Sequence, residues 1–175
     1  MLRTLVARAF LAASVVGLAT VRASANDAQI ARGKYLVTLG GCNDCHTPGY
    51  FFGKPDMSRF LGGSDVGFEI PGQGVFVGPN ITSDKKTGIG SWTSEQIVKA
   101  IQVGERPDGR ILAPIMPWHA LATLTADDAM AIAAFLQSLN PVSNQIRGPF
   151  KPGEKVSTFM FRIVPPGETA AAAAK

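Results

Sequence analysis

Two cysteines and a histidine stand close together near the start of the sequence, at Cys42, Cys45 and His46. In a helix, positions i, i+3 and i+4 lie on one face, so the two thiols and the imidazole would point the same way. Two thiols at this spacing form thioether bonds to the two vinyl groups of one porphyrin, and the histidine that follows binds the iron. The pentad Cys-Asn-Asp-Cys-His therefore predicts covalent attachment of haem c.

Three other uses of the pentad compete with haem attachment. A thioredoxin-like redox dithiol also uses Cys-x-x-Cys, but it follows a strand in a βαβ unit, which the preceding sequence does not predict. A zinc site would recruit His119 as a fourth ligand, and the sequence lacks the paired histidine spacing of such sites. A structural disulfide would suit a secreted chain. Haem attachment is favoured because the motif, a secretory leader and the absence of further cysteines agree.

The second axial ligand of the iron is less clearly marked. The candidates are four methionines and one histidine, Met57, Met116, Met130, Met160 and His119. Met116 is favoured because two flanking prolines make its loop rigid, and methionine opposite histidine raises the reduction potential, which suits electron transfer. Met130 and Met160 lie among apolar residues and are interpreted as core. His119 is interpreted as a surface or propionate-side residue, although its competition with Met116 stays open.

Other residues are assigned to the surroundings of the haem. The indole of Trp92 would donate to a haem propionate or, equally well, fill the core before a helix. The neighbourhood of Pro48 is predicted to offer a carbonyl to the ring nitrogen of His46, since a metal-bound imidazole usually donates its other N–H. Tyr35 and Phe135 are predicted to fill the core where the first and last helices cross.

Three helices are expected to position these residues. The first begins near Ala28 and ends at a glycine pair directly before the pentad. The second begins at a capping box of Thr93 and Gln96, and Gly104 ends it. The third is capped by Thr125 and ends before the next Asn-Pro pair.

The segments between the helices are expected to be irregular. Residues 48–91 show no sustained period and are predicted to form a long ordered loop with one short hairpin, wrapped around a large flat cofactor. Residues 105–123 form a second irregular run. The apolar tail at 156–164 is predicted to pack back onto the fold or to form a strand.

The ends of the chain are predicted to lie outside the fold. Residues 1–25 combine a basic start, an apolar run and an Ala-Ser-Ala site, which indicates a cleaved secretory signal peptide, with an uncleaved anchor as the weaker alternative. Its removal leaves 14 basic residues of 17 against 13 acidic ones, a formal charge of +1, which gives no basis for binding nucleic acid or anionic lipid. We expect a folded domain at 26–145 and a C-terminal extension at 146–175, the last residues of which are disordered.

Seven stretches follow one another in an order typical of one family. They are residues 32–36, 41–48, 78–84, 87–93, 106–110, 116–118 and 124–142. On these stretches the chain resembles the class I mono-haem cytochromes c, and more narrowly the cytochrome c domains and subunits associated with bacterial periplasmic, alcohol-type dehydrogenases. The resemblance covers about residues 28–142. It implies a mainly α, class I cytochrome c fold, with three to five helices around one covalently bound haem and long irregular loops.

The resemblance also implies roles for individual residues. It assigns the iron to His46 and Met116 and the thioether bonds to the two cysteines, and it puts Asn80 and Trp92 near the haem. Larger members of the group carry several pentads in one chain, whereas this sequence carries one. A free-standing carrier, or a small subunit that serves one dehydrogenase, is therefore favoured over the three-haem subunit.

The function implied by the resemblance is one-electron transfer in the periplasm, without a substrate turned over by this chain. Its partners would be redox proteins, a dehydrogenase as donor and an oxidase or another cytochrome as acceptor. No nucleic acid and no transmembrane span of the mature chain are expected, and peripheral association with the membrane stays open. The alternative is a haem-based sensor or enzyme with an open or weakly ligated sixth iron position.

Overall fold

Five α-helices and one three-stranded sheet make up the part of the chain described by this computed structural model, residues 26–164, 166 and 167. The helices are α1 (26–39), α2 (Cys42–His46), α3 (Ser94–Val103), α4 (Trp118–Leu121) and α5 (Ala126–Ser138). The strands are β1 (Val66–Ile70), β2 (Gly74–Val77) and β3 (Phe159–Phe161). The predicted signal peptide and the last residues of the predicted extension lie outside the described residues. No helix in the described part is long and apolar enough to cross a membrane.

The capping signals in the sequence mark the ends of α3 and α5 correctly. The Thr93 hydroxyl accepts from the Gln96 amide at 3.2 Å and the Gln96 side chain accepts from the Thr93 amide at 2.9 Å, which is the predicted capping box. Gly104 ends α3 with a φ of 75°, a left-handed conformation that costs glycine least. Thr125 caps α5 by accepting from the Asp128 amide at 3.1 Å.

Helices α1 and α5 cross at a glycine. A methyl group at Gly33 would lie 1.9 Å from the carbonyl oxygen of Ala131, so the two backbones touch at this point. Phe135 is buried beside the crossing, as predicted. The prediction for Tyr35 is wrong, because its side chain is 56% exposed and lies beneath the guanidinium of Arg32. Two residues advance a helix by about 200°, so Tyr35 faces away from the contact made by Gly33.

The predicted hairpin in residues 48–91 is formed by β1 and β2, which pair antiparallel from Gly67 opposite Val77 to Ile70 opposite Gly74. The rest of the segment is mainly turns, with two short 3-10 helices at Tyr50–Phe52 and Met57–Arg59.

The tail of the chain packs back onto this hairpin. Strand β3 adds to β1 in parallel, and the rings of Phe68 and Phe161 stack at 5.5 Å. Phe150 is buried and exchanges two backbone hydrogen bonds of 2.9 Å with Val75. The strand alternative for the tail is thus confirmed. Met160, which was interpreted as core, is instead 41% exposed because β3 is the edge strand of the sheet.

The segment 105–123 is more regular than predicted. Glu105 pairs with Ile111 in a short antiparallel bridge, and the one-turn helix α4 follows Pro117. The sequence shows no periodicity here because these elements are short, and one turn of helix gives too few positions for an apolar stripe. The main core lies between the helices and the loops, and its buried members are Val37, Leu61, Ile89, Ile97, Ile132, Ala133, Phe135 and Leu136.

Candidate functional site

The pentad forms its own one-turn helix, α2. Gly41 introduces it with a φ of 64°, so the chain turns sharply between α1 and α2. Cys42 and Cys45 are both half-buried free thiols, one helical turn apart. Burial raises the pKa of Cys42 to about 11 and also raises that of Cys45. Both thiols are therefore protonated at neutral pH, whereas a redox dithiol needs a thiolate at low pKa.

The imidazole of His46 is buried and held by a single backbone oxygen. Its Nδ1 lies 2.7 Å from the carbonyl oxygen of Pro79. Burial lowers the pKa of His46, and the Pro79 carbonyl opposes that shift to a smaller extent. A neutral ring that donates from Nδ1 keeps the lone pair of Nε2 for a metal, which is the usual arrangement of a ligating histidine.

The partner of His46 was assigned to the wrong proline in the sequence. Pro48 is buried close to the pentad, but its carbonyl accepts from the Asp56 amide at 2.9 Å. The carbonyl that meets His46 comes from Pro79, 33 residues downstream of the histidine. Pairing across this distance depends on how the hairpin folds back, and no local pattern in the sequence signals it.

Three contacts fix α2 against the loop that follows it. The Gly63 amide donates to the His46 carbonyl at 2.8 Å, and the Leu61 amide donates to the buried Thr47 hydroxyl at 2.9 Å. A methyl group on Gly78 would lie 1.7 Å from the Cys45 carbonyl oxygen. Residue 78 must therefore be glycine for the strand to pass the pentad. Sequence analysis missed these supports, although Gly78 stands directly before Pro79 and Asn80 in one of the family stretches.

Asn80 is buried, and both polar atoms of its side chain form hydrogen bonds within the protein. Its Nδ2 donates to the Val142 carbonyl at 2.6 Å and to the Thr87 hydroxyl at 3.0 Å. Its Oδ1 accepts from the amide of Thr82 at 3.0 Å and from the hydroxyl of the same residue at 2.7 Å. These bonds immobilise the residue next to Pro79, so Asn80 holds the carbonyl that orients His46. Its contact with a haem stays a prediction.

Met116 lies in a tight turn between α3 and α5. Its amide donates to the Ala113 carbonyl at 2.9 Å, and its carbonyl accepts from the Trp118 amide at 2.8 Å. His119 is exposed, and its ring stacks on Trp118 with centroids 3.5 Å apart. Met57 is 60% exposed on a surface turn. Met116 itself is half-buried, in a loop fixed by the two backbone hydrogen bonds of its turn. Its role as an iron ligand stays a prediction.

The two tryptophans have different surroundings. Trp92 packs against the core, and the guanidinium of Arg106 lies 5.2 Å from the centre of its ring. Trp118 has a buried Nε1 that finds no hydrogen-bond partner among the described residues. A buried indole N–H without an acceptor is costly, so this atom points to a group that the chain itself does not supply.

These features fit haem c. Two half-buried thiols and a histidine share one face of α2, Nε2 of His46 is available for iron, and one buried donor lacks an acceptor. The zinc alternative finds no support in the ligand geometry: within the described residues, no three His, Cys, Asp or Glu side chains gather into a group that could hold a metal ion.

Comparison with known proteins finds relatives in bacterial dehydrogenases, whereas no protein-family model matches the sequence. The cytochrome c subunit of a quinone alcohol dehydrogenase from Gluconobacter oxydans is 36% identical over 126 residues, which cover 71% of this chain and 24% of the relative. The cytochrome subunit of a fructose dehydrogenase from Gluconobacter japonicus is 38% identical over 111 residues, covering 62% of this chain and 21% of the relative.

A third relative is the cytochrome c subunit of a gluconate 2-dehydrogenase from Pantoea cypripedii, which is 36% identical over 120 residues, covering 68% of this chain and 25% of the relative. The chain spans about a quarter of the length of these curated relatives. Over about two thirds of its own length, the chain is therefore homologous to the cytochrome c subunits of bacterial alcohol, fructose and gluconate dehydrogenases.

Proposed function

We propose that this chain binds one haem c through Cys42 and Cys45, with His46 and Met116 as axial ligands, and carries single electrons. The observation that supports it best is the orientation of His46, whose Nδ1 is engaged by Pro79 and whose Nε2 is left for iron. Haem c supplies an iron that alternates between the ferrous and ferric states. We infer a single haem because the sequence contains two cysteines and one pentad.

The residues around the pentad would keep the ligand geometry constant during electron transfer. Pro79 fixes the plane of the imidazole, and the neighbouring Asn80 is itself held in place by five side-chain hydrogen bonds. The bonds from the Gly63 amide to the His46 carbonyl and from the Leu61 amide to the Thr47 hydroxyl tie the C-terminal end of α2 to the following loop. A site that moves little between oxidation states needs little reorganisation, which favours fast transfer.

The partner we infer is a dehydrogenase of the periplasm. Three relatives are cytochrome subunits of dehydrogenases that act on alcohol, fructose or gluconate. The signal peptide predicted at residues 1–25 would deliver the chain to the periplasm, where covalent attachment prevents loss of the cofactor. An electron acceptor such as an oxidase or a second cytochrome would complete the path, and such contacts are small and transient.

The test is expression of the full-length chain in a bacterium with c-type haem maturation. A pyridine haemochrome spectrum of the c type, with one haem per chain, is the expected result, and its absence would contradict the proposal. Cys42→Ala should reduce the number of thioether bonds from two to one, which shifts the haemochrome band.

Met116→Ala tests the sixth ligand, and Met57→Ala is the matched control because Met57 is exposed on a different loop. Loss of the methionine sulfur should abolish the long-wavelength methionine–iron band of the ferric protein, lower the reduction potential and let the ferrous protein bind carbon monoxide. Met57→Ala should change none of these. If the unaltered ferrous protein binds carbon monoxide readily, the sixth position is open and the sensor or enzyme alternative replaces the carrier.

A further inference from the structure

Strand β3 forms an edge of the sheet. The strand order is β2-β1-β3, so β3 pairs with β1 on one side, and on its other side no strand within the described residues pairs with it. The backbone N–H and C=O groups on that outer side can therefore pair with a further strand. Edge strands are usually protected by a charged residue or a proline, and Phe159–Phe161 contains neither.

The side chains of this strand are exposed as well. Phe159, Met160 and Phe161 are 65%, 41% and 48% exposed, and Ile163, just beyond the strand, is 79% exposed. Phe52, which packs on Phe159, is itself 52% exposed. Apolar side chains that lie together on one surface, unlike single scattered ones, mark an interaction site.

The exposed rings are held in place by contacts within the chain. Phe161 stacks on Phe68 with ring centres 5.5 Å apart and meets Phe51 edge-on at 4.9 Å. Phe159 meets Phe52 edge-on, also at 4.9 Å. Because these rings have little conformational freedom left to lose on binding, the surface is preorganised for association.

The sequence of the strand favours a second copy of this chain as the partner. Phe-Met-Phe reads the same in both directions, so two copies paired antiparallel about Met160 place Phe159 of each copy opposite Phe161 of the other. Residues directly opposite each other share a face of the sheet, and aromatic pairs in such positions stabilise the pairing. The acidic and basic residues outside the predicted signal peptide nearly balance, so two copies repel each other little.

The area of the patch suits a weak dimer. An aromatic side chain buries about 150–250 Å², so the exposed parts of Phe52, Phe159 and Phe161 supply about 300 Å² in each copy. With Met160 and Ile163 included, two copies together bury about 1,000 Å², the size at which specific interfaces begin. The dimer should therefore form and dissociate with protein concentration.

We propose that the chain forms a two-fold dimer in which β3 of one copy pairs antiparallel with β3 of the other, centred on Met160. The two three-stranded sheets then form one continuous sheet. The pairing uses the returning tail of the chain and no residue of the pentad. It is therefore an addition to the proposed electron transfer and does not depend on it.

The experiment is sedimentation of the full-length protein purified from a bacterium with c-type haem maturation, at about 1 µM to 1 mM, the range of weak association. The unaltered protein should change from monomer to dimer across this range. Met160→Lys and Met160→Glu should each raise the dissociation constant by about tenfold or more, because two like charges then lie directly opposite each other. An equimolar mixture of the two variants should dimerise again, because opposite charges then meet at the two-fold axis.

Leu39→Lys and Leu39→Glu are the matched controls, because Leu39 is 69% exposed on α1, outside the sheet. Neither variant should change the dissociation constant. Hydrogen exchange of the unaltered protein gives a measurement that needs no variant: the outward-facing amides of residues 159–161 should exchange more slowly at high than at low concentration.

An unaltered protein that stays monomeric over the whole range overturns the proposal. A dimer that neither Met160 variant weakens overturns it as well, since another surface then forms the contact, and so does a mixture that fails to dimerise. Amides of β3 that are equally protected at every concentration also overturn it, because the chain's own last residues then cover the edge. Failure of the proposed function is recognised separately, by a protein without a c-type haemochrome.

Discussion

The pentad region and the Met116 loop are built in different ways. Around the pentad, the polar groups of the supporting residues meet partners within the chain: His46 has Pro79, Thr47 has the Leu61 amide, and the Asn80 side chain makes five hydrogen bonds. In the loop at 105–121, a buried indole N–H has no acceptor and a half-buried arginine has no carboxylate among the described residues.

This difference indicates how the chain prepares the two sides of its cofactor. The groups that orient His46 find their partners in the polypeptide itself, so the orientation of the histidine does not depend on the haem. Within the pentad, the buried Oδ1 of Asn43 is without a partner among the described residues. The Met116 side is held by turns and prolines, and its buried Trp118 N–H has no acceptor among the described residues. We therefore expect substitutions that disturb the pentad side to cost more stability than matched substitutions on the Met116 side.

The largest effect is expected from Gly78→Ala. The added methyl would lie 1.7 Å from the Cys45 carbonyl oxygen, and a backbone atom cannot yield as a flexible side chain would. The loss in the free energy of unfolding should reach or exceed the ~1–3 kcal/mol typical of overpacking. Gly109 lies at the tip of the hairpin in the Met116 region, and a methyl group there would meet no atom within 4 Å. Gly109→Ala should therefore lower the free energy of unfolding only by the strain of a φ of 79°, about 1–2 kcal/mol.

Denaturant unfolding of the haem-loaded chains measures both values, and haem content after expression gives an independent measure for Gly78→Ala. Equal losses for the two variants would mean that the pentad side is no more tightly built than the Met116 side.

What the sequence predicts well is local. The capping box of Thr93 and Gln96, the cap at Thr125 and the stop at Gly104 each depend on atoms within four residues, and all of them are present in the structure. The hairpin and the returning strand were also anticipated, from apolar clusters between turn residues. Helix ends are predictable in this way because a cap satisfies its own neighbours, whatever the rest of the fold does.

What the sequence does not predict is the contact between distant segments. The partner of His46 is Pro79 and not the region of Pro48, and the close passage of Gly78 past Cys45 depends on the same return of the chain. Tyr35 is predicted to fill the core where the first and last helices cross, but the approach of the helices at Gly33 turns it outwards. The periodicity of apolar residues indicates which positions share a face of a helix, but it does not indicate which helices approach each other closely.

An intermediate effect is expected from Asn80→Ala. The substitution removes the 2.6 Å bond to the Val142 carbonyl and leaves the Thr82 amide without its side-chain partner in a buried site, so we expect a loss of about 2–4 kcal/mol. Gln102→Ala is the counterpart on the other side of the molecule, where one side-chain bond of 2.9 Å to the Leu124 carbonyl is lost, at about 0.5–1.5 kcal/mol.

Asn80→Ala should also loosen the Pro79 carbonyl, which would broaden the resonances of the His46 ring in NMR spectra of the haem protein. Unchanged histidine resonances together with a large loss of stability would show that Asn80 supports the fold without orienting the ligand.

The smallest effect is expected in acid, from two aspartates with lowered pKa values. Asp84 accepts from the Thr87 amide at 2.6 Å and from the Thr87 hydroxyl at 2.8 Å, and these bonds lower its pKa. The pKa of Asp108 is lowered mainly by the Arg110 amide. A lowered pKa in the folded state stabilises the protein above the ordinary value of 3.8, and this contribution disappears as the pH falls through the folded-state pKa.

Asp84→Asn should therefore lower the melting temperature at pH 7, and the difference from the unaltered chain should shrink as the pH falls below about 4. The difference should be larger than that for Asp108→Asn. The Thr87 hydroxyl that donates to Asp84 also accepts from the Asn80 side chain and from the Asn144 amide, whereas Asp108 lies exposed on a hairpin tip. Thermal melts by circular dichroism between pH 7 and 3 test this. A larger or more persistent effect of Asp108→Asn would place the rigid part of the molecule at the Met116 loop, which reverses the comparison between the two regions.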